Sequence, residues 1–529
     1  MLTFFVIVPV LIAVFLFVFS TNKAARVLAI IIQSLFVLAT FWLFLQSRHT
    51  EFITYVGSYD DVLGIILRTS NTSAVFILLT SVIFLAVSIY SYNEEGVRTF
   101  WFLLFILEAV LVGLFLTRDL FNIFVLVEVG TVVVTILIMY YRGRRQMFTG
   151  MVYLMLNIVA MQFYLFGIGY IYMLTGAFDV AHVADALAYI DREALVLPYA
   201  LIMTGMAFKC AIIPLHSFVP KVRLYPAAPS AVVAILSGVQ IKTNVYLFLQ
   251  FHQVFDTFSA QGFFLAVGII TSAIGVFMAM CQTDIKMILA YHTVSQVGLI
   301  IIGLFAGTEY SFLGGLFHVI SHGVFKTALF LTAGIIFHAY GTRDVYKIRG
   351  VMRRMPIVGA VTVAAVLGIT GAPFFIGSIS KYFISADVHW LVEWSVIIIS
   401  LGTIISFTKY AGMLFGKPDQ DLIGDKPKPD TWRLVPAMAL GAMCLLGGVF
   451  GQPLVNFLFV NTATIDIMGY AQKALIFFVS VAVGYGIYKY IIAGNKLLKR
   501  IGDLDLGFKS ACASMGAFFG LIIIMVGVL

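Results

Sequence analysis

Residues 206–220 read MAFKCAIIPLHSFVP. An apolar run carries Lys209, and five residues later Pro214. Lysine is strongly hydrated, and proline removes a backbone donor and displaces a carbonyl within a helix. An ordinary buried helix wants neither. Its surroundings decide what the pair means.

Those surroundings are apolar throughout. The chain has 529 residues, 61% hydrophobic and 11% charged, with a mean hydropathy of +1.04. That composition predicts an all-α polytopic membrane protein. The ten-residue alternation of a membrane β-barrel is not visible. Residues 1–20, MLTFFVIVPVLIAVFLFVFS, have no basic region ahead of the apolar run and no small-residue cleavage site, so a retained helix is expected. Cys210, Cys281, Cys444 and Cys512 are isolated, without metal, haem or redox spacing. No Walker loop and no GxGxxG between strand and helix is found. No cofactor and no metal are expected, and nucleotide or redox chemistry would sit on another chain.

Spans of about twenty residues predict sixteen helices, near 2–20, 27–46, 71–91, 100–117, 120–140, 148–173, 197–218, 230–251, 261–282, 286–306, 311–339, 357–384, 394–415, 434–458, 470–491 and 509–528. Charge supports the count. Alternate loops carry Lys23/Arg26, Arg98, Arg142/Arg144/Arg145, Lys221/Arg223, Lys286, Arg343/Lys347/Arg349/Arg353/Arg354, Lys417/Lys426/Lys428/Arg433 and Lys496/Lys499/Arg500/Lys509. The others hold only Arg48, Arg68, Arg118 and Arg192, beside acids such as Asp60, Asp179, Asp185, Asp387 and Asp466. Basic loops face the cytoplasm, so both termini are expected on the outer face of a cytoplasmic membrane. The net charge of +8 is thus a topology signal, and no nucleic-acid partner is implied.

Seven basic residues fall inside helices, all of them lysine: Lys209, Lys242, Lys326, Lys381, Lys409, Lys473 and Lys489. Lys473 and Lys489 lie near helix ends and are expected to snorkel. Five remain at depth. Arginine stays protonated in proteins, whereas buried lysine can release and regain a proton. Two acids, Glu108 and Glu128, are also deep, and Glu128 is expected to pair with Lys209 because an isolated charge in hydrocarbon is costly. In GGLFHVISHGVFKTALFLTAG, His318, His322 and Lys326 recur at i, i+4 and i+8, about 6 Å apart per step on one face. Taken singly, each histidine is a packing residue as readily as a relay. Together they suit a water-bridged proton chain.

A second interrupted helix, LGITGAPFFIGSISKYF at 367–383, also joins glycine, proline and a lysine, Lys381. In lipid, backbone groups freed by such breaks must be met by protein or water, so broken helices line cavities. Paired breaks in two halves mark internally repeated transporters. Each broken helix precedes another lysine helix, with Lys242 following Lys209 and Lys409 following Lys381. Five-helix units near 100–251 and 261–415 result. The chain divides into three N-terminal helices (1–98), a first repeat (99–255), a second repeat (256–416) and C-terminal helices (417–529).

FKCAIIPLHSFVP, YPAAPSAVVAILSGVQIKTNVY, DIKMILAYHTVSQVGLIIIG, HVISHGVFKTALFLTAG, GTRDV and GITGAPFFIGSISKYF resemble, in order and spacing, the antiporter-like proton-translocating subunits shared by Mrp-type sodium/proton antiporters, energy-converting membrane hydrogenases and respiratory complex I. The resemblance covers about residues 100 to 415. It implies fourteen core helices, two inverted five-helix repeats each with a broken helix, and a membrane-central line of charged residues. It also implies that Glu128 of the fifth helix pairs with Lys209 of the seventh, and that Lys242 bridges the halves. His322 and Lys326 then form the relay, and Lys381 the terminal carrier. His318, His292 and Lys409 join this set by position.

PAAPSAVVAILSG and LAYHTVSQVG look more like the Mrp and hydrogenase branch. The implied partners are other membrane subunits, including related antiporter-like or small Mrp-type chains, with a redox module as a further candidate. A solute transporter acting alone would need a solute-specific cavity. A purely structural subunit leaves five deep lysines without a reason.

Overall fold

The computed structural model describes residues 1–19, 22–57, 64–94, 98–218, 224–417, 429–503 and 507–528. Lys221, Arg223, Lys426, Lys428 and Asp60 lie outside the described residues. The main helices are α1 (Thr3–Phe19), α2 (Lys23–Ser47), α3 (Asn71–Tyr90), α4 (Arg98–Leu116), α5 (Leu120–Ile138), α6 (Arg144–Thr175), α7 (Arg192–Lys209) and α8 (Ser230–Val254). They continue with α9 (Gln261–Cys281), α10 (Ile285–Phe305), α11 (Glu309–Tyr340), α12 (Pro356–Thr370), α13 (Ile376–Ile384), α14 (Trp390–Ala411), α15 (Thr431–Val449), α16 (Ile467–Ile487) and α17 (Phe508–Val528). Thirteen described helices are long and apolar enough to cross a membrane. The shorter α1, the 18-residue α7, and α12 continued by α13 bring the crossings to the sixteen expected.

The repeat is written into the backbone. Asp119 caps α5 and pairs antiparallel with Asp179; 165 residues later Asp284 caps α10 and pairs with Asp344. The bonds from Leu120 N–H to the Phe178 carbonyl and from Val180 N–H to the Arg118 carbonyl return, with the same offset, as Ile285 to Arg343 and Val345 to Thr283. Helices α6 and α11 are both 32 residues long, and each ends on a left-handed glycine, Gly176 or Gly341. Corresponding helices are five crossings apart. An odd number reverses the chain direction, so the two copies are inverted.

Proline sets the breaks. A proline ring collides with the carbonyl four residues earlier, which for Pro214 is that of Cys210, and α7 ends at Lys209. For Pro373 it is that of Ile369, and α12 ends at Thr370. A non-glycine residue with left-handed backbone, Ala211 in one break and Phe374 in the other, turns the chain.

A third break was not expected. The span near 434–458 stops at Val449 and restarts as Gly451–Phe459, because Pro453 displaces the Val449 carbonyl. Sequence periodicity also missed a two-stranded hairpin, Ile53–Val56 with Ile65–Arg68, and the short helix Val180–Leu187.

The three most enclosed helices are α8, α10 and α11. They are covered by protein on every side, so polar groups placed on them face the bundle rather than hydrocarbon. Close approach of α9 and α10 depends on small residues: a Cβ on Gly275 would lie 2.6 Å from the Ser295 nitrogen. By contrast α16 lies almost wholly on the outside.

Candidate functional site

Lys209 is the last residue of α7, so the break delivers its side chain into the bundle. Its Nζ donates to Thr131 Oγ1 on α5 at 2.8 Å and to Asn157 Oδ1 on α6 at 2.7 Å. The backbone carbonyl of Lys209 accepts from Asn244 Nδ2 on α8 at 3.0 Å, which ties the break to the next helix. The Ile213 N–H donates to Thr271 Oγ1 on α9 at 3.1 Å.

Glu128 lies three residues before Thr131 on α5 and is half-buried. The expected direct ion pair with Lys209 is absent among the described residues. Thr131 and Asn157 occupy the ammonium, and Glu128 stays within electrostatic range of it. Glu128 Oε1 is buried with no protein partner among those residues. The reason is spacing: one helical turn separates Glu128 from the threonine that takes the proton donor.

Lys242 follows a π-helical segment, Leu236–Gln240, that the sequence did not announce. The wider turn frees the Ser237 carbonyl, which accepts from Lys242 Nζ. Ser237 Oγ shares a 2.8 Å bond with Thr293 Oγ1 on α10. A Cβ on Gly238 would collide with Thr327 Oγ1 on α11, so glycine is what lets these helices touch.

On α11 the spacing expected from sequence holds. The rings of His318 and His322 are 6.3 Å apart. His318 is fixed at both nitrogens, Nδ1 to Ser380 Oγ at 2.8 Å on α13 and Nε2 to Gln296 Oε1 at 3.0 Å on α10. His322 is fully buried, and neither ring nitrogen has a protein partner among the described residues. Lys326 Nζ donates to the Leu289 carbonyl at 2.5 Å and lies 5.6 Å from the Phe330 ring. The His292 ring lies 4.5 Å from that of Phe407 at a tilt of 31°, also with no protein partner for its nitrogens among the described residues.

Lys381, on α13, reaches back to the end of α12 and donates to the Ile369 and Thr370 carbonyls, both at 3.0 Å. These are carbonyls released by the Pro373 break, at the negative end of a helix dipole. Lys409 does the same for α9, donating to the carbonyls of Ala279 at 3.2 Å, Met280 at 2.7 Å and Gln282 at 2.5 Å.

The structure brings Lys242, His322, Lys326, His318, Lys381, His292 and Lys409 into mutual electrostatic range in overlapping sets. Lys209 and Glu128 form a separate group at the first break, joined to α8 through Asn244. All five deep lysines bond to neutral oxygens and none touches a carboxylate among the described residues. A fixed counter-ion would hold each proton in place. Neutral acceptors leave the amine able to release it.

For three further residues the structure supplies partners that the sequence did not show. Lys286, counted as a loop cation, is buried at the second position of α10 with Nζ on the Ala228 carbonyl at 3.0 Å. The signal was the preceding Asp284, an N-cap that already places Lys286 inside the helix. Lys473, expected to snorkel, bonds through Nζ to the carbonyl and hydroxyl of Ser385 at 2.9 and 2.5 Å and keeps its side chain 28% exposed. Glu108 is fully buried, with Oε1 accepting from Gln33 Nε2 at 2.6 Å, among α2, α3 and α4 and away from the lysines. Lys489 is exposed, against Tyr490.

Residues 117–407 match the NADH:quinone oxidoreductase/Mrp antiporter transmembrane family. The chain belongs to that family. Among its relatives, NADH-quinone oxidoreductase subunit N of Desulforudis audaxviator is 29% identical over 435 residues, 76% of this chain and 85% of the relative. A Na(+)/H(+) antiporter subunit of Alkalihalophilus pseudofirmus is 26% identical over 415 residues, 76% of this chain and 84% of the relative. Two solved structures share the fold, each with a TM-score of 0.80 at 23% identity: a chain of the Mrp complex from Dietzia and one of an archaeal membrane-bound sulfane sulfur reductase. The first covers 90% of this chain and 99% of its own, the second 91% and 99%. This membership confirms the resemblance read from the motifs and, with it, the multi-pass helical architecture.

Proposed function

We propose that this family member translocates protons as an antiporter-like subunit of a multisubunit, Mrp-related complex, either an Mrp-type sodium/proton antiporter or an energy-converting membrane hydrogenase. The observation that carries this reading is the set of deep lysines held only by neutral oxygens. Protons enter near Glu128 and Lys209, pass Lys242 and the His318–His322–Lys326 face, and leave through Lys381. His292 flanks the relay. Movement follows from charge alternation, since neighbouring ammonium groups in low dielectric destabilise each other. Lys409, expected on the relay by position, differs from the other four in that its ammonium donates to three carbonyls at the end of α9, which favours the charged form, so here it serves as a fixed cap.

The partners are further membrane subunits, related antiporter-like or small Mrp-type chains, with or without a redox module. The complex sits in the cytoplasmic membrane with both termini of this chain outside. Replacing Lys209 with Ala in the assembled complex should abolish ion translocation in membrane vesicles while the complex still assembles. Wild-type transport in that variant would remove the mechanism.

A second reading, a proton-pumping subunit of an NADH:quinone oxidoreductase, is supported by the likeness to a subunit N. The chains that co-purify separate the two. Small antiporter chains only, or a nickel-site or iron–sulfur subunit without a flavin-bearing NADH-oxidising chain, favour the first, and a flavin-bearing NADH-oxidising chain favours the second.

A further inference from the structure

The family match ends at residue 407, and α16 lies beyond it on the outside of the bundle. A helix that only meets lipid needs no polar fastening. Yet the start of α16 is tied to the broken crossing: Tyr470 Oη accepts from the Phe374 N–H at 3.1 Å and shares a 2.9 Å bond with Ser378 Oγ. The Asp466 N–H donates to Tyr382 Oη at 3.0 Å, and Lys473 bonds to Ser385. Between α16, α14 and the break lies a cavity of about 90 Å³, lined among others by Thr370, Lys381, Ser385, Glu393, Tyr470 and Lys473. Lys381 is on its wall, with 7% of its surface exposed. Lys473 and Glu393 face each other at 3.7 Å, with side chains 28% and 41% exposed, so this pair stands where the cavity meets the surroundings. Asp387 adds a second negative charge within electrostatic range of Lys473.

We propose that Lys473 and Glu393 form the outer gate of Lys381, with Glu393 on α14 inside the family match and Lys473 supplied by α16 outside it. This rests on the proposed translocation function. In the step it adds, an N–H bond of the Lys381 ammonium breaks and the proton crosses cavity water to the Glu393 carboxylate, forming an O–H bond. Glu393 then gives the proton to water on the face opposite the basic loops, and the Lys381 amine is refilled from the His318 side. While Glu393 is protonated, the Lys473 charge is no longer balanced by it and opposes return of the proton.

The test uses membrane vesicles holding the assembled complex. Glu393→Gln and Lys473→Ala should each slow translocation about tenfold or more with assembly intact. Ser400→Cys places a thiol on the cavity wall. A membrane-impermeant cationic thiol reagent should reach it from the face opposite the basic loops, and faster when Lys473→Ala is added. Wild-type rates in both gate variants, or labelling only from the basic-loop face, would overturn the gate. Should a gate variant fail to assemble, labelling of Ser400→Cys alone decides. Lys209→Ala separates the two layers: if it stops transport while gate variants run normally, the gate falls and the function stands. If Lys209→Ala transports normally, the function falls whichever side the thiol reagent reaches.

Discussion

Asn157 and His322 hold the same place in the two inverted repeats, 165 residues apart on α6 and α11. In the first copy the position presents a fixed acceptor, the Asn157 carbonyl oxygen 2.7 Å from Lys209 Nζ. In the second it presents an imidazole able to take or give a proton, within electrostatic range of Lys242 and Lys326. One repeated position thus presents a fixed acceptor in one half and a titratable group in the other. Replacing Asn157 with Leu leaves the Lys209 ammonium with one acceptor. A hydrogen bond to a charged group contributes roughly 1.5–3 kcal/mol, so translocation in vesicles should fall by about tenfold to a hundredfold. Asn157→His, which restores a lone pair, should recover part of it.

His322 separates a relay role from a packing role. Buried polar atoms without partners cost about 1–3 kcal/mol each, so a histidine kept only for packing gains nothing from its ring nitrogens. His322→Leu should leave the unfolding midpoint of the solubilised complex unchanged or higher. Proton translocation should drop at least about tenfold, the lower range for losing a positioned proton-transfer group. A large loss of stability with transport intact would identify His322 as structural.

Glu108 gives the opposite expectation. Its carboxyl bonds to Gln33, which also donates to the Ser81 carbonyl at 3.3 Å, and Ser81 shares a 2.8 Å bond with Thr40. The cluster pins α2 and α3 to α4. Glu108→Gln preserves an acceptor for Gln33 and should leave translocation at the parent rate. Gln33→Leu strips that carboxyl of its partner and should destabilise the protein by about 1–3 kcal/mol, read as a lower thermal midpoint in detergent.

What could be read from sequence follows its physical source. Helix number and the two breaks were legible because length, hydropathy and proline are local signals, as the ends of α7 at Lys209 and α12 at Thr370 illustrate. The i, i+4 face of His318 and His322 was legible because helical geometry fixes it. Partners were not, because they come from other helices. No spacing announces that Thr131 and Asn157 take the Lys209 ammonium in place of Glu128, or that Lys381 turns back onto the Ile369 and Thr370 carbonyls. The partners of Lys473 were hidden for the same reason: its distance from the helix end suggested snorkelling but not the contacts with Ser385 and Glu393.

Arginine substitution tests whether the lysines must change charge or merely carry it. Arginine keeps the positive charge and the donors of lysine but does not deprotonate in proteins. Lys326 lies in the fully enclosed part of α11 with the Leu289 carbonyl as its acceptor, and Lys242 uses the Ser237 carbonyl at the π segment. A permanently charged group at either place blocks alternation between neighbours, so Lys242→Arg and Lys326→Arg should assemble yet translocate at no more than about a tenth of the parent rate, the scale expected when a proton-transfer group is lost. Lys409 makes the contrast. It caps three carbonyls at the end of α9, a task in which a cation favours the helix dipole whether or not it can titrate. Lys409→Arg should keep most of the parent rate, while Lys409→Ala should lower stability by about 0.3–2 kcal/mol. Equal loss of transport in all three arginine variants would mean that shape at these sites matters more than protonation, and equal retention would mean that no proton passes through Lys242 or Lys326.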